Sequence, residues 1–194
     1  AAFLRLHTDA FGTPTPMSAG LTDYFEMFEL GLARGIGVAN FDLAQLSHLV
    51  SAGPRPLINQ VEFQPQFHDE AMHTFCATHQ IQMVAYGSLV TIVQRTDASP
   101  SDSIRQIAAR HNISVARLAL DWTVARGVAV IPRSRSSLHL ADNLKVGSEQ
   151  VGLSPEELVA LATMQPAGPA RRYEVLAIDM QDGHQSMATK TEGP

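Results

Sequence analysis

Five short apolar runs, separated by stretches of helical spacing, limit what this chain can fold into more than any other feature. The runs are Phe3–His7, Gly35–Asn40, Leu57–Phe63, Gln82–Tyr86 and Val128–Pro132. Each is strand-length, and most are rich in Val, Ile or Leu, a pattern that suits parallel strands buried on both faces. The segments between them read as helices. Thr22–Leu30 places Tyr24, Phe25, Phe28 and Leu32 on one stripe. Asp42–Val50 opens on an N-cap Asp and carries Leu43, Leu46, Leu49 and Val50. Asp69–His79, Ser101–His111 and Ser114–Arg126 show the same period, and Ser154–Met164 begins with a Ser N-cap, Pro155 and Glu157. The order is β-α-β-α-β-α-β-α-α-β-α-α. Strands alternating with helices imply parallel βαβ units, so the expected class is α/β.

Composition narrows the function. A chain of 194 residues suggests one domain spanning 1–194, long enough for a real core. A formal net charge of −5 and no basic block argue against a nucleic-acid partner. The single cysteine, Cys76, permits no intramolecular disulfide and fits a reducing compartment, with a cytoplasmic setting expected, or indifference to redox. The apolar runs are too short for a membrane span. His68, His73 and His79 lack the i, i+4 spacing of a shared metal ligand set, so no metal is expected. No glycine-rich dinucleotide or phosphate loop is present.

The strands expected to run one way end in polar residues: His7, Asn40, Gln64, Tyr86 and Arg133. In a (β/α)8 barrel that end forms the active-site face. Such a barrel needs eight strands, and five are legible. An open set of five leaves two bare edges. A longer parent chain, a homodimer covering the edges, or plugging by other segments would each resolve this.

Five motifs sit on these strands: Phe3-Leu4-Arg5-Leu6-His7, Gly37-Val38-Ala39-Asn40-Phe41, Asn59-Gln60-Val61-Glu62-Phe63-Gln64-Pro65, Ala85-Tyr86-Gly87-Ser88-Leu89, and Val130-Ile131-Pro132-Arg133-Ser134 followed by Asp142-Asn143. In order and spacing they resemble strands four to eight of the aldo-keto reductases. The resemblance covers residues 3–165 and leaves 166–194 as a loop or tail. It implies a partial (β/α)8 TIM barrel of about strands 4 to 8. It also implies a family reaction, hydride transfer from NADPH to a carbonyl with Tyr as general acid helped by Lys, Asp and His. The family Tyr, Lys and Asp belong to strands with no match here, and only the His has a counterpart, at His7.

Two readings stand beside each candidate. His7 can polarise a carbonyl near neutral pH, or be a buried, hydrogen-bonded structural residue. Arg5 lies two residues earlier on the same strand face, where it binds an anionic substrate or stabilises an enolate, unless it faces solvent. Asn40 and Gln60 match residues that bind the nicotinamide amide, which needs both donor and acceptor. Tyr86 matches the aromatic that stacks on the nicotinamide, with core packing as its competitor. Arg133 stands where the family has a Lys for the 2′-phosphate, and Ser134, Asp142 and Asn143 follow in the cofactor loop. Ala39, Gly87 and His139 depart from the family pattern and weaken the expected NADP site. Arg133 with Arg135 also reads as a solvated basic patch.

With Tyr, Lys and Asp unmatched, the expected activity is non-redox acid/base chemistry on a carbonyl metabolite (isomerisation, dehydration or cyclisation) at His7, Arg5 and Tyr86. The alternatives are an NADPH-dependent carbonyl reductase whose other half precedes this segment, and a non-catalytic regulatory subunit.

Overall fold

The computed structural model describes residues 4–7, 25–53, 55–89, 102–149 and 151–163, with only the backbone of 4–7 and of Asp102 described. The residues around Tyr24, Tyr173 and the tail 166–194 lie outside that set. Five strands form one sheet in sequence order: β1 Leu4–His7, β2 Ile36–Ala39, β3 Ile58–Glu62, β4 Gln82–Tyr86 and β5 Ala129–Val130. Every pairing is parallel. Six helices follow the expected order: α1 Leu43–Ala52, α2 Glu70–Thr78, α3 Asp102–Arg110, α4 Val115–Ala125, α5 Ser137–Leu144 and α6 Pro155–Ala162. Residues 25–29 are also helical.

Local chemistry explains the boundaries. Asp42 caps α1 and forms a capping box with Gln45, each side chain bonding the other's backbone N–H, at 2.8 and 2.9 Å. Asp69 and Ser114 cap α2 and α4. Ser154, Pro155 and Glu157 open α6 as the sequence suggests. β5 is shorter than the five-residue run around it. Ile131 N–H still bonds Ala85 O at 3.2 Å, but Pro132 has no N–H to continue the ladder.

One helix carries residues that the sequence reads as a loop. The segment after Arg133 reads as a cofactor loop, yet Ser137–Leu144 is helical, so Asp142 and Asn143 sit on a helix. Its signals are Ser136, which caps it, and Leu140 and Leu144 one turn apart. The stripe on 22–30 is also corrected. Among its described residues Phe28 and Leu32 are exposed and Phe25 packs against the core.

The core lies on one side of the sheet. Alternation along each strand sends Ile36, Val38, Met83 and Ala85 one way, and all are buried. They form one cluster with helix residues Leu46, Leu49, Met72, Ile104, Leu118, Trp122 and Leu161. Ile58, Gln60, Val84 and Tyr86 point the other way and are half-buried, with Gln82 exposed. The sheet is therefore well covered on its helix side and partly open on the side that forms a barrel lumen, where burial on both faces had been expected.

Candidate functional site

Three of the sequence candidates lie together toward the C-terminal ends of β2, β3 and β4. The register places His7 beside Ala39, Ala39 beside Gln60, Gln60 beside Val84 and Glu62 beside Tyr86. Paired positions share a face, so Gln60 and Tyr86 lie on the lumen side. Asn40 would alternate to the helix side, but its φ of 59° turns the chain at the end of β2. Asn is one of the few side chains that tolerates this conformation. The Asn40 N–H then bonds Gln60 O at 2.9 Å, and Tyr86 Oη donates to Asn40 Oδ1 at 2.8 Å. The phenol fixes the carboxamide, which leaves the NH2 end as its donor. Gly87, next in the chain, has φ 63°, a conformation that disfavours the Ser of the family pattern.

Glu62 is a lumen-side residue that the sequence reading did not single out. It is buried, pairs in register with Tyr86, and accepts from Gln64 Nε2 at 3.1 Å. Its signal was its spacing, two residues from Gln60 on the same strand face.

The phosphate-side candidates follow β5. Arg133 and Arg135 are exposed. Ser134 Oγ accepts from Ser136 N–H at 3.1 Å, and Ser136 Oγ in turn accepts from His139 N–H at 3.4 Å, so the two serines shape the start of α5. Asp142 is turned toward α4, where Ser114 Oγ donates to its Oδ2 at 2.9 Å. Asn143 is half-buried. The structure gives Arg5 and His7 a backbone register, opposite Gly37 and Ala39, while their side chains lie outside the described residues.

The remaining titratable groups serve packing. His68 faces Gln64 O and Glu70 Oε1, both at 3.1 Å, and its ring is tilted against Trp122 with centroids 5.0 Å apart, and its burial lowers its pKa. The Arg126 guanidinium pairs with Glu70, holding that carboxyl below its usual range, and lies 4.9 Å over the Trp122 ring. Burial pushes the Cys76 thiol up to about 12. Among the described residues no three His, Cys, Asp or Glu side chains are grouped to hold a metal. No helix among them is long and apolar enough to cross a membrane.

Comparison with known proteins gives the same frame. The family model described as "Aldo/keto reductase family" matches residues 6–164. Dihydrodiol dehydrogenase 3 of Bos taurus is 30% identical over 168 residues, 79% of this chain and 51% of that protein. Glyoxal reductase of Bacillus subtilis is 29% identical, over 69% of this chain and 54% of its own length. A crystal structure of a Bombyx mori aldo-keto reductase in complex with NADP superposes with a TM-score of 0.71 at 27% identity, covering 88% of this chain and 59% of that one. The chain thus spans about half the length of the curated relatives it matches. With the parallel sheet in sequence order and the polar strand ends, these matches establish that the chain belongs to the aldo/keto reductase family and carries part of its (β/α)8 barrel.

Proposed function

We propose that this chain supplies the NADP(H)-binding side of a carbonyl reductase site. The observation that carries the reading is the Tyr86–Asn40 hydrogen bond of 2.8 Å, with Gln60 on the strand between them. Two carboxamides beside an aromatic ring at the strand ends form a donor set that fits a nicotinamide: the amides can pair with its carboxamide and the ring offers a flat face. Bound NADPH would supply a hydride for a carbonyl carbon. The residues of this chain bind and orient. Arg133 offers a guanidinium, and the capped start of α5 offers the positive end of a helix for phosphate.

Tyr86 is better suited to positioning than to acid catalysis, because its hydroxyl proton is already given to Asn40. His7, opposite Ala39 in the register, remains the candidate for polarising a substrate carbonyl, with Arg5 opposite Gly37. The relatives described above are named for reductase or dehydrogenase activity. No observation on this chain favours a reaction without hydride transfer.

The test is a titration of the purified chain with NADPH, following the cofactor's own emission. Binding with a Kd on the order of micromolar supports the reading. No binding up to about millimolar cofactor overturns it and returns acid/base chemistry at His7 and Arg5 to first place.

A further inference from the structure

Arg117 occupies a position that its own helix does not explain. It is the third residue of α4, at the positive end of the helix dipole, where a cation is disfavoured. It is also 3% exposed, which is costly for a guanidinium unless every contact is made. The contacts all lead to one place. Nε pairs with Asp121 Oδ2 at 2.5 Å, one turn along α4. Nη2 donates to Lys145 O at 2.9 Å and to Glu149 O at 2.7 Å. Lys145 is the C-cap of α5, so the cation sits at the negative end of that second helix. Ser114, the N-cap of α4, holds Asp142 of α5 from the same side, with Arg117 Nη1 4.0 Å from the other Asp142 oxygen.

The Lys145 carbonyl also accepts from Ser148 and Glu149 N–H, closing the turn that Arg117 anchors. On its outer side α5 has little to hold it. Leu138 and Leu144 are about four-fifths exposed, and none of its residues is fully buried. A helix of 8 residues without a buried face depends on its ends for its place.

We propose that Arg117 is a positioning residue for the phosphate side of the site: through the carbonyls of Lys145 and Glu149 it sets where α5 lies, and so where Ser134, Asp142 and Asn143 meet the dinucleotide. The last clause rests on the cofactor reading above. Asp121 neutralises the buried cation and orients its fork. The pair is thus retained for where it puts α5. Simple stability would be served as well by two apolar side chains.

The test compares the unmodified chain with Arg117→Met/Asp121→Leu, which removes both charges and leaves neither buried and unpaired. Arg117→Lys serves as the conservative variant. Two quantities are read: amide hydrogen exchange across 137–149, and the Kd for NADPH and for NADH. The expected result is exchange about tenfold faster in 137–149 and unchanged in β2–β4, with Tm held within a few degrees. NADPH affinity should fall about tenfold and the preference for NADPH over NADH should shrink, with Arg117→Lys between the two. Unchanged exchange in 137–149, or faster exchange with unaltered NADPH affinity, overturns the proposal. Failure of the cofactor reading shows separately, as absence of NADPH binding by the unmodified chain. The exchange data then still decide whether Arg117 places the helix.

Discussion

The two faces of the sheet are built to different standards. On the helix side, Ile36, Val38, Met83 and Ala85 are at most 3% exposed, and Phe63 stacks on Trp122 with ring centroids 5.5 Å apart. Asn59 is the polar exception: its Nδ2 donates to Phe41 O at 3.2 Å, while its buried Oδ1 has no partner. On the lumen side Ile58 and Val84 are only half-buried, and toward the C-terminal strand ends they give way to an amide and a phenol, Gln60 and Tyr86, also half-buried, and to the buried carboxylate of Glu62. The same five strands therefore serve two purposes through period-two alternation. One face stores the stability, and the other holds polar groups where water and a ligand can reach them.

The sharpest way to break this comparison is to damage the packed face. Trp122 is fully buried, stacks on Phe63, lies under Arg126 and donates Nε1 to Leu158 O at 3.1 Å. Trp122→Ala is expected to cost about 3–5 kcal/mol, since a large cavity remains and the indole bond to Leu158 O is lost. In a chain of this size that is a Tm fall of about 10 °C or more. A loss under about 1 kcal/mol in denaturant melts would mean that the helix layer does not hold the fold.

The open face should behave in the opposite way. Tyr86→Phe removes one hydroxyl and its bond to Asn40 and leaves the ring in place. The expected cost in stability is about 0.5–1.5 kcal/mol, and NADPH affinity should weaken about tenfold as the Asn40 carboxamide loses its fixed orientation. If stability falls by several kcal/mol while affinity is untouched, Tyr86 belongs to the core and the division between faces is wrong. Arg133→Ala tests the next site along. It is exposed, so stability should change by no more than about 0.5 kcal/mol. NADPH should bind about threefold to tenfold more weakly, with less effect on NADH and a shallower dependence on salt. An equal loss for both cofactors would remove Arg133 from the 2′-phosphate.

How far the sequence reveals these features depends on the range of the forces involved. The strands and most helices follow from local chemistry. Asp42, Asp69, Ser114 and Ser154 all cap where the spacing places them, and β4 has the limits its apolar run suggests. Asn40 and Tyr86 were legible as site candidates because the motifs put each at a strand end, and Gln60 through its place in the β3 motif. What escaped was set by tertiary contact. Helix α5 has a weak apolar signature because it buries no full side chain, so its Arg133–Asn143 segment read as loop. Arg117 looks like a solvated helix residue until Lys145 and Glu149 are folded against it. Glu62 went unremarked because its neighbour Tyr86 is 24 residues on and reaches it through strand register alone.

The last expected effect lies at the edge of the packed face, where α6 is clasped to α3. Glu157 caps its own helix by accepting from Ser154 N–H at 3.1 Å, and it pairs with His111 and Arg110, each at 2.9 Å. The Ser154 backbone bond, followed by those neighbours, lowers its pKa from 4.5 to about 2. A carboxyl depressed in the folded state binds its proton more readily once unfolded. Its contribution is therefore complete above 4.5 and is lost as pH falls toward about 2. Glu157→Gln can keep the acceptor for Ser154 N–H, as Gln45 does in α1, and loses the charge pairs, so it should lower stability at pH 6 by about 0.5–1 kcal/mol. The gap between variant and parent should narrow as the solution is acidified below 4.5 and close near 2. Parallel melting curves measured down the pH scale read this directly. A gap that stays constant across that window would show that the Glu157 carboxylate charge contributes nothing to the clasp and that only its shape matters, which would confine the stability of this face to its apolar contacts.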